Sequence, residues 1–531
     1  MAVLDFPGDI LPLDRDQQAK LRTFLHPAQL LLVCLNDICP RGPPQKPSEP
    51  PPDHNQAPEE MFHTFVNKLA HVLNFNTNGD TVTALAVILH NGKTTYVFAS
   101  NNRSKVPLNN ARKGLGEILN ILKSNLEAPS KEPDHVIERR LIDKILWWNQ
   151  VRLRAYLNTL AKELQTCMDR CDKSTPEGIA AMNSLSTMAS TIPDLSKKTE
   201  ECAFPSPPSP PSPQHQHPPL TKPGIPGAVQ CIKAIQANRN TPFQRFISAR
   251  AAEDHHMAKG GSWSNLQHVA GRLLSYQYAV EVLVYAHHMW ADTDLFRDFE
   301  IESVRSSTPY QGVPSDSLLN PVPETAETVL NRAPGTAEQR KALKGHATEL
   351  EKYRLGDSLQ SLWAAQVRKG MKPIVHAEIL LHSWLLATEG DVQRARFFQG
   401  WQYIGTSKPL CRMCTEYFAN VITTPVRFRA GHPNTYLNWR LPDLYVDGRQ
   451  KGRADRERDA RKKWCEDLGK MKGRVFAAVG RVLEEKVAEW KRWDSNTYTS
   501  KVKSVKEKSV KGDVEMLAGW LGDVGLQVRK V

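Results

Sequence analysis

Two short motifs that must meet in space constrain the fold of this chain most. His376-Ala377-Glu378 begins an apolar stretch with helical spacing, and Cys411-Arg412-Met413-Cys414 follows 35 residues after the histidine. A catalytic zinc site uses three protein ligands and keeps the fourth tetrahedral position for water. The cysteines lie three residues apart at the start of a predicted helix, so both sulfur atoms can face one point. We therefore expect one zinc ion per chain, held by His376, Cys411 and Cys414.

Glu378 is the candidate catalytic residue of this arrangement. It lies two residues after the histidine, in the first turn of the same predicted helix. From there a carboxylate can exchange protons with a water molecule that the metal activates, without itself binding the metal. The positive end of the second predicted helix lowers the pKa of the cysteine thiols, which favours the thiolates that bind zinc. The pattern therefore predicts a hydrolytic zinc site.

Two alternatives use the same residues differently. A Cys-x-x-Cys pair is also typical of structural zinc sites, although the sequence holds no second such pair. Glu378 also stands where a solvated acid would complement a helix dipole. The metalloprotease motif His-Glu-x-x-His is excluded, because His382 lies six residues after His376.

The composition limits the class of protein to which this chain can belong. Its 531 residues predict about two to four domains, and 40% hydrophobic with 24% charged residues is a globular balance. The sequence has no run of about 18 apolar residues and no basic-then-apolar leader, so we expect no membrane span and no secretory signal. The nine cysteines are scattered and odd in number. This usage indicates a reducing, intracellular compartment, either cytoplasmic or nuclear.

Prolines mark two predicted linkers. They concentrate in residues 40–58, within an N-terminal segment 1–60, and in a predicted disordered tract at 203–226. Proline lacks a backbone donor and disfavours helix at the residue before it, so such tracts are extended. We expect the folded parts of the chain between these tracts and after them.

Periodicity predicts two groups of strands that lie far apart in the chain. Two β-branched, apolar runs, 81–89 and 94–99, are joined through Asn91-Gly92, which is a strong hairpin signal. Strand-like runs recur at 400–406 and 426–430, around the cysteine motif. The long region between the two groups has apolar residues at three- and four-residue spacing, which predicts helices.

We expect these strands to form one α/β domain that is split in the chain. Its first part is 61–102, a helix and hairpin, and its second part is 371–450, which carries the zinc ligands. Neither part has enough strands to cover its own apolar faces. Residues 103–370 then form a mostly helical insertion, and 451–531 form a basic helical tail. An independent N-terminal domain is the alternative.

The second part resembles the cytidine deaminase-like superfamily. Within it, residues 375–443 are similar to the fungal nucleic acid/nucleotide deaminase family, whose relatives include bacterial toxin deaminases. The resemblance covers about 70 residues, or about 110 with the hairpin, and it rests on four pieces: His376-Ala377-Glu378, Ile404-Gly405-Thr406-Ser407-Lys408, Cys411-Arg412-Met413-Cys414, and Gly431-His432 through Trp439 to Pro442. One departure is that Leu410 separates Pro409 from the first cysteine, where the superfamily usually has proline directly before it.

The resemblance implies a three-layer α/β/α cytidine deaminase-like domain and zinc-dependent hydrolytic deamination of a nucleobase in a nucleoside, nucleotide or nucleic acid. In free-nucleoside deaminases of the superfamily, an Asn at the end of the second strand contacts the sugar. Asn101 or Asn102 would take this place, with turn residues as the alternative. Ser407 and His432 lie in resembling stretches and are further candidates for substrate binding.

Two other function classes stay open. The protein could be a catalytically inactive deaminase-fold protein whose structural zinc stabilises an interaction module, although a structural site has no use for Glu378. It could also be a nucleic-acid-binding scaffold, because the net charge is +13 and basic residues accumulate in 451–531, including a lysine run at 501–511. Many of these basic residues are mixed with acids, which is equally typical of a solvated helix.

Overall fold

Two compact units make up the computed structural model, which describes residues 3–6, 8–38, 56–90, 92–193, 224–254, 261–308, 310, 319, 323–389, 396–422, 424–432, 434–446 and 452–484. The sheet unit comprises the described residues of 1–44, 56–131 and 285–495, and the helical unit comprises those of 132–284. Most of both predicted proline linkers and the lysine run at 501–511 lie outside the described residues. The predicted tract 203–226 overlaps a helix at its last three residues, 224–226.

Seven strands are present in the described part of the sheet unit: β1 Asp9–Leu11, β2 Thr83–His90, β3 Lys93–Ser100, β4 Phe299–Ser303, β5 Tyr403–Thr406, β6 Arg427–Phe428 and β7 Leu444–Val446. β1 and β7 pair with each other, and the other five form a mixed sheet in the order β4-β3-β2-β5-β6. Within it, β2 is antiparallel to β3 and to β5, whereas β4 and β6 are parallel to their neighbours. The hairpin and the strand before the cysteine motif therefore share one sheet.

The hairpin between β2 and β3 follows from its turn residues. Gly92 has a φ of +77°, in the left-handed region that glycine adopts without strain. Asn91, the other predicted turn residue, lies outside the described residues. On the other edge of β2, Ala84 is opposite Thr406 and Leu85 is opposite Gly405. This pairing connects two parts of the chain that the insertion separates.

The helices are α1 Arg15–Lys20, α2 His26–Ile38, α3 Pro58–Val72, α4 Lys105–Glu127, α5 Asp134–Trp148, α6 Gln150–Asp169, α7 Pro176–Ser190, α8 Gly224–Ala237, α9 Pro242–Glu253, α10 Ser262–Met289, α11 Asp294–Arg297, α12 Ala326–Leu330, α13 Ala337–Glu349, α14 Leu355–Lys369, α15 Ala377–Glu389, α16 Arg412–Glu416 and α17 Arg453–Glu484. A π-helical turn, Leu21–Leu25, leads into α2, and another, Tyr417–Val421, follows α16. None of the described helices combines the length and the apolar character that crossing a bilayer requires.

Two helices cover the sheet near β5. The side chains of Ala84, Ala86 and Ile88 on β2 belong to the same buried cluster as the apolar residues of α15. On β5, a Cβ atom at Gly405 would lie 2.7 Å from the backbone carbonyl carbon of Val66 and 2.8 Å from the backbone nitrogen of Asn67, so the α3 backbone approaches the strand closely there. Glycine at this position lets α3 approach the strand that precedes the cysteine motif.

The helical unit contains α5 to α9 and most of α10, whose residues from Tyr285 onward belong to the sheet unit. Each helix buries one apolar face, as its three- and four-residue spacing predicts. The buried side chains include Leu141, Ile145, Leu153, Leu157, Leu160, Leu164, Leu273 and Val280.

The predicted insertion 103–370 is longer than the helical unit. Its first helix, α4, and its residues from 285 onward belong to the sheet unit, where β4 pairs in parallel with β3. The sequence of β4, Phe299-Glu300-Ile301-Glu302-Ser303, is short and has two acidic residues in five, so it lacks the apolar run by which other strands were predicted. Helical spacing predicts α13 and α14 where they are found, but spacing does not say which core a helix joins.

α17 occupies the start of the predicted basic tail. One face of this 32-residue helix is apolar and joins the buried core of the sheet unit through Trp464, Leu468, Met471, Val475, Val479 and Val482. Basic residues on the helix make ion pairs elsewhere in the unit: Arg461 lies 3.5 Å from Asp14, and Arg481 lies 2.9 Å from Glu416. This first part of the tail is therefore an integral helix of the sheet unit.

Candidate functional site

The histidine of the first motif stands at the beginning of α15. The carbonyl of His376 accepts the first helical hydrogen bond, from Leu380 N–H at 2.9 Å. Glu378 is the second residue of the helix, and both side chains are buried. The apolar residues that follow pack into the core, and the first turn lies beside Asn101, just after the end of β3.

The cysteine motif is organised largely by its own residues. Cys411 directly precedes α16, and its Sγ accepts a hydrogen bond from Cys414 N–H at 3.5 Å. The Cys411 carbonyl accepts from Thr415 N–H at 2.9 Å. The two sulfur atoms lie 3.4 Å apart, and both cysteines are buried free thiols. The helix start thus presents two sulfur donors on one side.

The three predicted ligands converge on one point. His376 Nδ1 lies 3.6 Å from Cys411 Sγ and 3.4 Å from Cys414 Sγ. These are the only three His, Cys, Asp or Glu side chains in the described part of the chain that group in this way. A tetrahedral zinc site with Zn–S of about 2.3 Å and Zn–N of about 2.0 Å has edges of about 3.8 Å between sulfurs and about 3.5 Å between nitrogen and sulfur. The donor set therefore fits a zinc ion.

Burial and interactions between neighbouring side chains shift the pKa values of Glu378 and of the two cysteines. Burial raises the pKa of the Glu378 carboxyl above its usual range, partly offset by His376. Burial would also raise the pKa of Cys411, but the Cys414 thiol and the His376 ring hold it well below its usual range. The pKa of Cys414 is well above its usual range because of burial and of Cys411. Such a buried group of negative donors is what a divalent cation stabilises.

A segment after β6, residues 432–440, makes backbone hydrogen bonds both next to the cysteine motif and next to His376. His432 N–H donates to the Leu410 carbonyl at 2.8 Å, next to the first cysteine. At its other end, the Asn438 carbonyl accepts from Ile374 N–H at 2.7 Å, and Arg440 N–H donates to the Ile374 carbonyl at 3.1 Å. One continuous stretch of backbone therefore sets the distance between the histidine and the cysteines.

A buried ion pair anchors this segment. The side chain of Arg440 is fully buried and contacts both carboxylate oxygens of Asp443 at 2.8 Å. The guanidinium also lies over the Tyr310 ring, 4.6 Å from its centroid, and donates to the Thr308 carbonyl. Sequence reasoning did not single out this pair, and only the short spacing of the two charges could have indicated it.

Ser307 is a second residue that sequence reasoning missed. Its Oγ accepts from Val375 N–H at 2.9 Å and lies 3.4 Å from the Val375 carbonyl. Ser307 lies just after β4 and 68 residues before its partner. No sequence motif identifies such a residue, because only the folded chain brings Ser307 next to Val375.

The predicted substrate residues follow three strands of the sheet: Asn101 and Asn102 come after β3, Ser407 after β5 and His432 after β6. Asn101 is buried and its Oδ1 accepts from Ala377 N–H, between His376 and Glu378. Asn102 is exposed, and its side chain donates to Asp80 Oδ1 at 3.3 Å.

The other two predicted substrate residues are buried. Ser407 follows β5 and its Oγ accepts from Thr83 N–H at 3.0 Å. His432 accepts at Nδ1 from Asn434 N–H at 3.1 Å, and its ring lies 6.0 Å from that of Tyr436. The Tyr436 ring in turn lies 6.4 Å from that of His376. A tyrosine thus links His432 to the ligand set.

Comparison with known proteins points to the same part of the chain. Residues 375–443 match the family model described as "OTT_1508_deam:-like deaminase". The matched segment runs from the residue before His376 to Asp443, and so includes the three donors, Glu378 and the anchoring ion pair. Neither a curated protein nor a solved structure matches the chain. The segment is therefore similar to a deaminase family and carries a site able to hold a metal.

Proposed function

We propose that this protein is a zinc-dependent hydrolytic deaminase acting on a nucleobase in a nucleoside, nucleotide or nucleic acid. The observation that carries the proposal is a buried carboxyl group, Glu378, beside three donors that fit zinc. The match of the same segment to a deaminase family supports it. A structural zinc site needs its ligands but gains nothing from an additional buried acid, whose burial costs free energy.

The ligands proposed for zinc are His376 Nδ1, Cys411 Sγ and Cys414 Sγ, with one ion per chain. When bound, zinc would activate a water molecule for attack on the amine-bearing carbon of the base. Soft thiolate and imidazole donors suit zinc better than they suit magnesium or calcium.

Glu378 is proposed to move the protons of the reaction. Its carboxylate takes a proton from the attacking water and passes it to the ring nitrogen next to the reacting carbon. It then takes the second proton from the new hydroxyl group and gives it to the departing amine, which leaves as ammonia. Each proton returns to substrate or product, so the residue ends in its starting state. Burial raises the pKa of this carboxyl above its usual range, which makes the group a stronger proton acceptor than an exposed glutamate.

The fold of the domain and the residues of the substrate site are also part of the proposal. We infer a cytidine deaminase-like, three-layer domain built from 61–102 and 371–450, which resembles the fungal nucleic acid/nucleotide deaminases. Packing of α3 and α15 on the sheet, and pairing of β2 with β5, support this arrangement. Asn101, Asn102, Ser407 and His432 are the candidates for the residues that line the substrate site.

A substrate panel tests the function directly. Zinc-loaded protein is incubated with nucleosides, nucleotides, single-stranded RNA and single-stranded DNA, and ammonia release is measured. We expect release from one class, absent after chelation of the metal and regained when zinc is added back. Tightly held zinc with no ammonia from any member of the panel would instead favour an inactive interaction module.

A further inference from the structure

The residue directly before α15 does not cap the helix with its side chain. The first backbone N–H groups of a helix have no helical acceptor, and the residue just before the helix usually supplies one from its side chain. Here that residue is His376, whose Nδ1 faces the two sulfur atoms at 3.4 and 3.6 Å. Because the His376 ring faces the two sulfur atoms, it does not accept a hydrogen bond from the first N–H groups of α15. The acceptor for these groups therefore has to come from another part of the chain.

Asn101 supplies that acceptor from the hairpin. Its Oδ1 accepts from Ala377 N–H at 2.8 Å, across a sequence separation of 276 residues. The residue is itself fixed: its backbone N–H donates to Val82 O at 3.0 Å and its Nδ2 donates to Gly79 O at 2.9 Å. Only 3% of Asn101 is exposed. Both ends of the amide are therefore engaged with the protein.

We propose that Asn101 is a positioning residue that fixes the peptide between the metal ligand His376 and the proton carrier Glu378. Ala377 is the single residue between them, so its N–H sets the relative direction of the two side chains. The proposal rests on the proposed function for its effect on catalysis, but its effect on metal binding stands by itself. It differs from a sugar contact, which would leave the metal site unchanged when the residue is replaced.

Asn102 is a matched control for this role. It has the same side chain one position later, but it is exposed and donates to Asp80 rather than to α15. Both residues have backbone bonds to the loop before β2, from Asn101 N–H to Val82 and from Asn102 N–H to Asp80. A general effect of disturbing this loop would therefore appear with either replacement.

The test compares Asn101→Ala, Asn101→Asp and Asn102→Ala in the full chain. Zinc affinity is measured by competition with a chromophoric chelator, and folding is checked by circular dichroism. We expect Asn101→Ala to weaken zinc binding by about 10-fold, the lower end of what partners of metal ligands contribute. Asn101→Asp keeps the acceptor oxygen, which a helix N-terminus favours, and should regain most of the affinity. Asn102→Ala should bind zinc like the unmodified protein.

Steady-state kinetics on the reactive member of the panel add a second readout. We expect Asn101→Ala to lower kcat with little change in KM, and Asn101→Asp to restore it. A raised KM with unchanged kcat and zinc affinity would overturn the proposal in favour of a substrate contact.

The two readouts separate this proposal from the proposed function. If the unmodified protein deaminates nothing on the panel, the function fails while zinc affinity still decides the role of Asn101. Unchanged zinc binding in Asn101→Ala overturns that role. If Asn101→Ala does not fold, Asn101→Asp decides, since affinity close to that of the unmodified protein supports the capping role and a loss as large as 10-fold overturns it.

Discussion

The two halves of the donor set are held by contacts of very different range. Around the cysteines, the Cys411 sulfur and carbonyl accept from residues three and four positions later, and the more distant hydrogen bonds, between Leu410 and His432 and between Arg412 and Asn434, span 22 positions each. Around the histidine, the bonds from Asn101 and Ser307 span 276 and 68 positions, and the segment 432–440 adds further bonds. The cysteine half is thus held mainly by near neighbours in the chain. The histidine half, with the proton carrier, exists only when the whole sheet unit is folded.

The largest effect is expected in the cysteine half. Cys414→Ser removes a sulfur ligand, and two donors do not complete a zinc site, so bound zinc should fall from about one ion per chain to near none. Metal analysis of the purified protein measures this. Cys465→Ser, at a half-buried cysteine of α17, is the control and should keep its zinc. Full retention of zinc in Cys414→Ser would disprove the assigned ligand set.

The next effect separates metal binding from catalysis in the histidine half. Glu378→Gln keeps the size of the side chain but cannot carry protons, so deamination should fall by about 10²- to 10⁴-fold. Zinc content should not change, because the carboxyl is not assigned as a ligand. Parallel metal analysis and ammonia assays check both points, with the exposed Glu338→Gln as control. Loss of zinc in Glu378→Gln would make the residue a ligand instead.

A stability effect is expected where one segment joins the two halves. Asp443→Asn leaves the guanidinium of Arg440 buried without its anion, which should lower the free energy of unfolding by about 3 kcal/mol. Urea unfolding followed by tryptophan fluorescence measures the loss. The exposed pair Arg458–Asp455 is the comparison, and Asp455→Asn should cost less than about 1 kcal/mol. Equal losses from the two variants would show that the buried pair does not anchor the segment.

The smallest effect concerns one long-range contact of the histidine half. Ser307→Ala deprives the buried Val375 N–H of its acceptor and should cost about 1 kcal/mol of unfolding free energy. Ser124→Ala, an exposed serine on α4, should change it by less than about 0.5 kcal/mol. The same urea experiment compares the two. If Ser307→Ala is as neutral as Ser124→Ala, the histidine half depends less on distant contacts than the structure indicates.

The same difference in range explains what the sequence could predict. The donors His376, Cys411 and Cys414 were predicted by spacing, and the structure brings them together. The identity of the metal and the role of Glu378 stay predictions. The supports of the histidine half, Ser307 and the Arg440–Asp443 pair, were missed because their partners lie in other elements.

The helices and strands also differ in how well local sequence patterns predicted them. The β2–β3 hairpin and β5 carry strong local patterns and were predicted close to their observed bounds, and a helix was predicted before the hairpin, where α3 lies. β4 was missed because three of its five residues are acidic or polar, and its pairing with β3 is made by backbone atoms. The extent of the helical unit was also misjudged, since α4 has helical spacing like its neighbours but joins the sheet unit. Local patterns predict elements, whereas tertiary contacts decide their partners.

The pairing of β2 with β5 has a consequence for synthesis of the chain on the ribosome. Thr83 bonds to Ser407, and 324 residues separate the two. At 5–20 residues per second, β2 is made roughly 20–60 s before its partner strand. During that interval β2 has one open edge, and unpaired edges of apolar strands are templates for association with other chains. The nascent chain therefore needs this edge shielded, by a chaperone or by its own earlier helices, until β5 has left the ribosome.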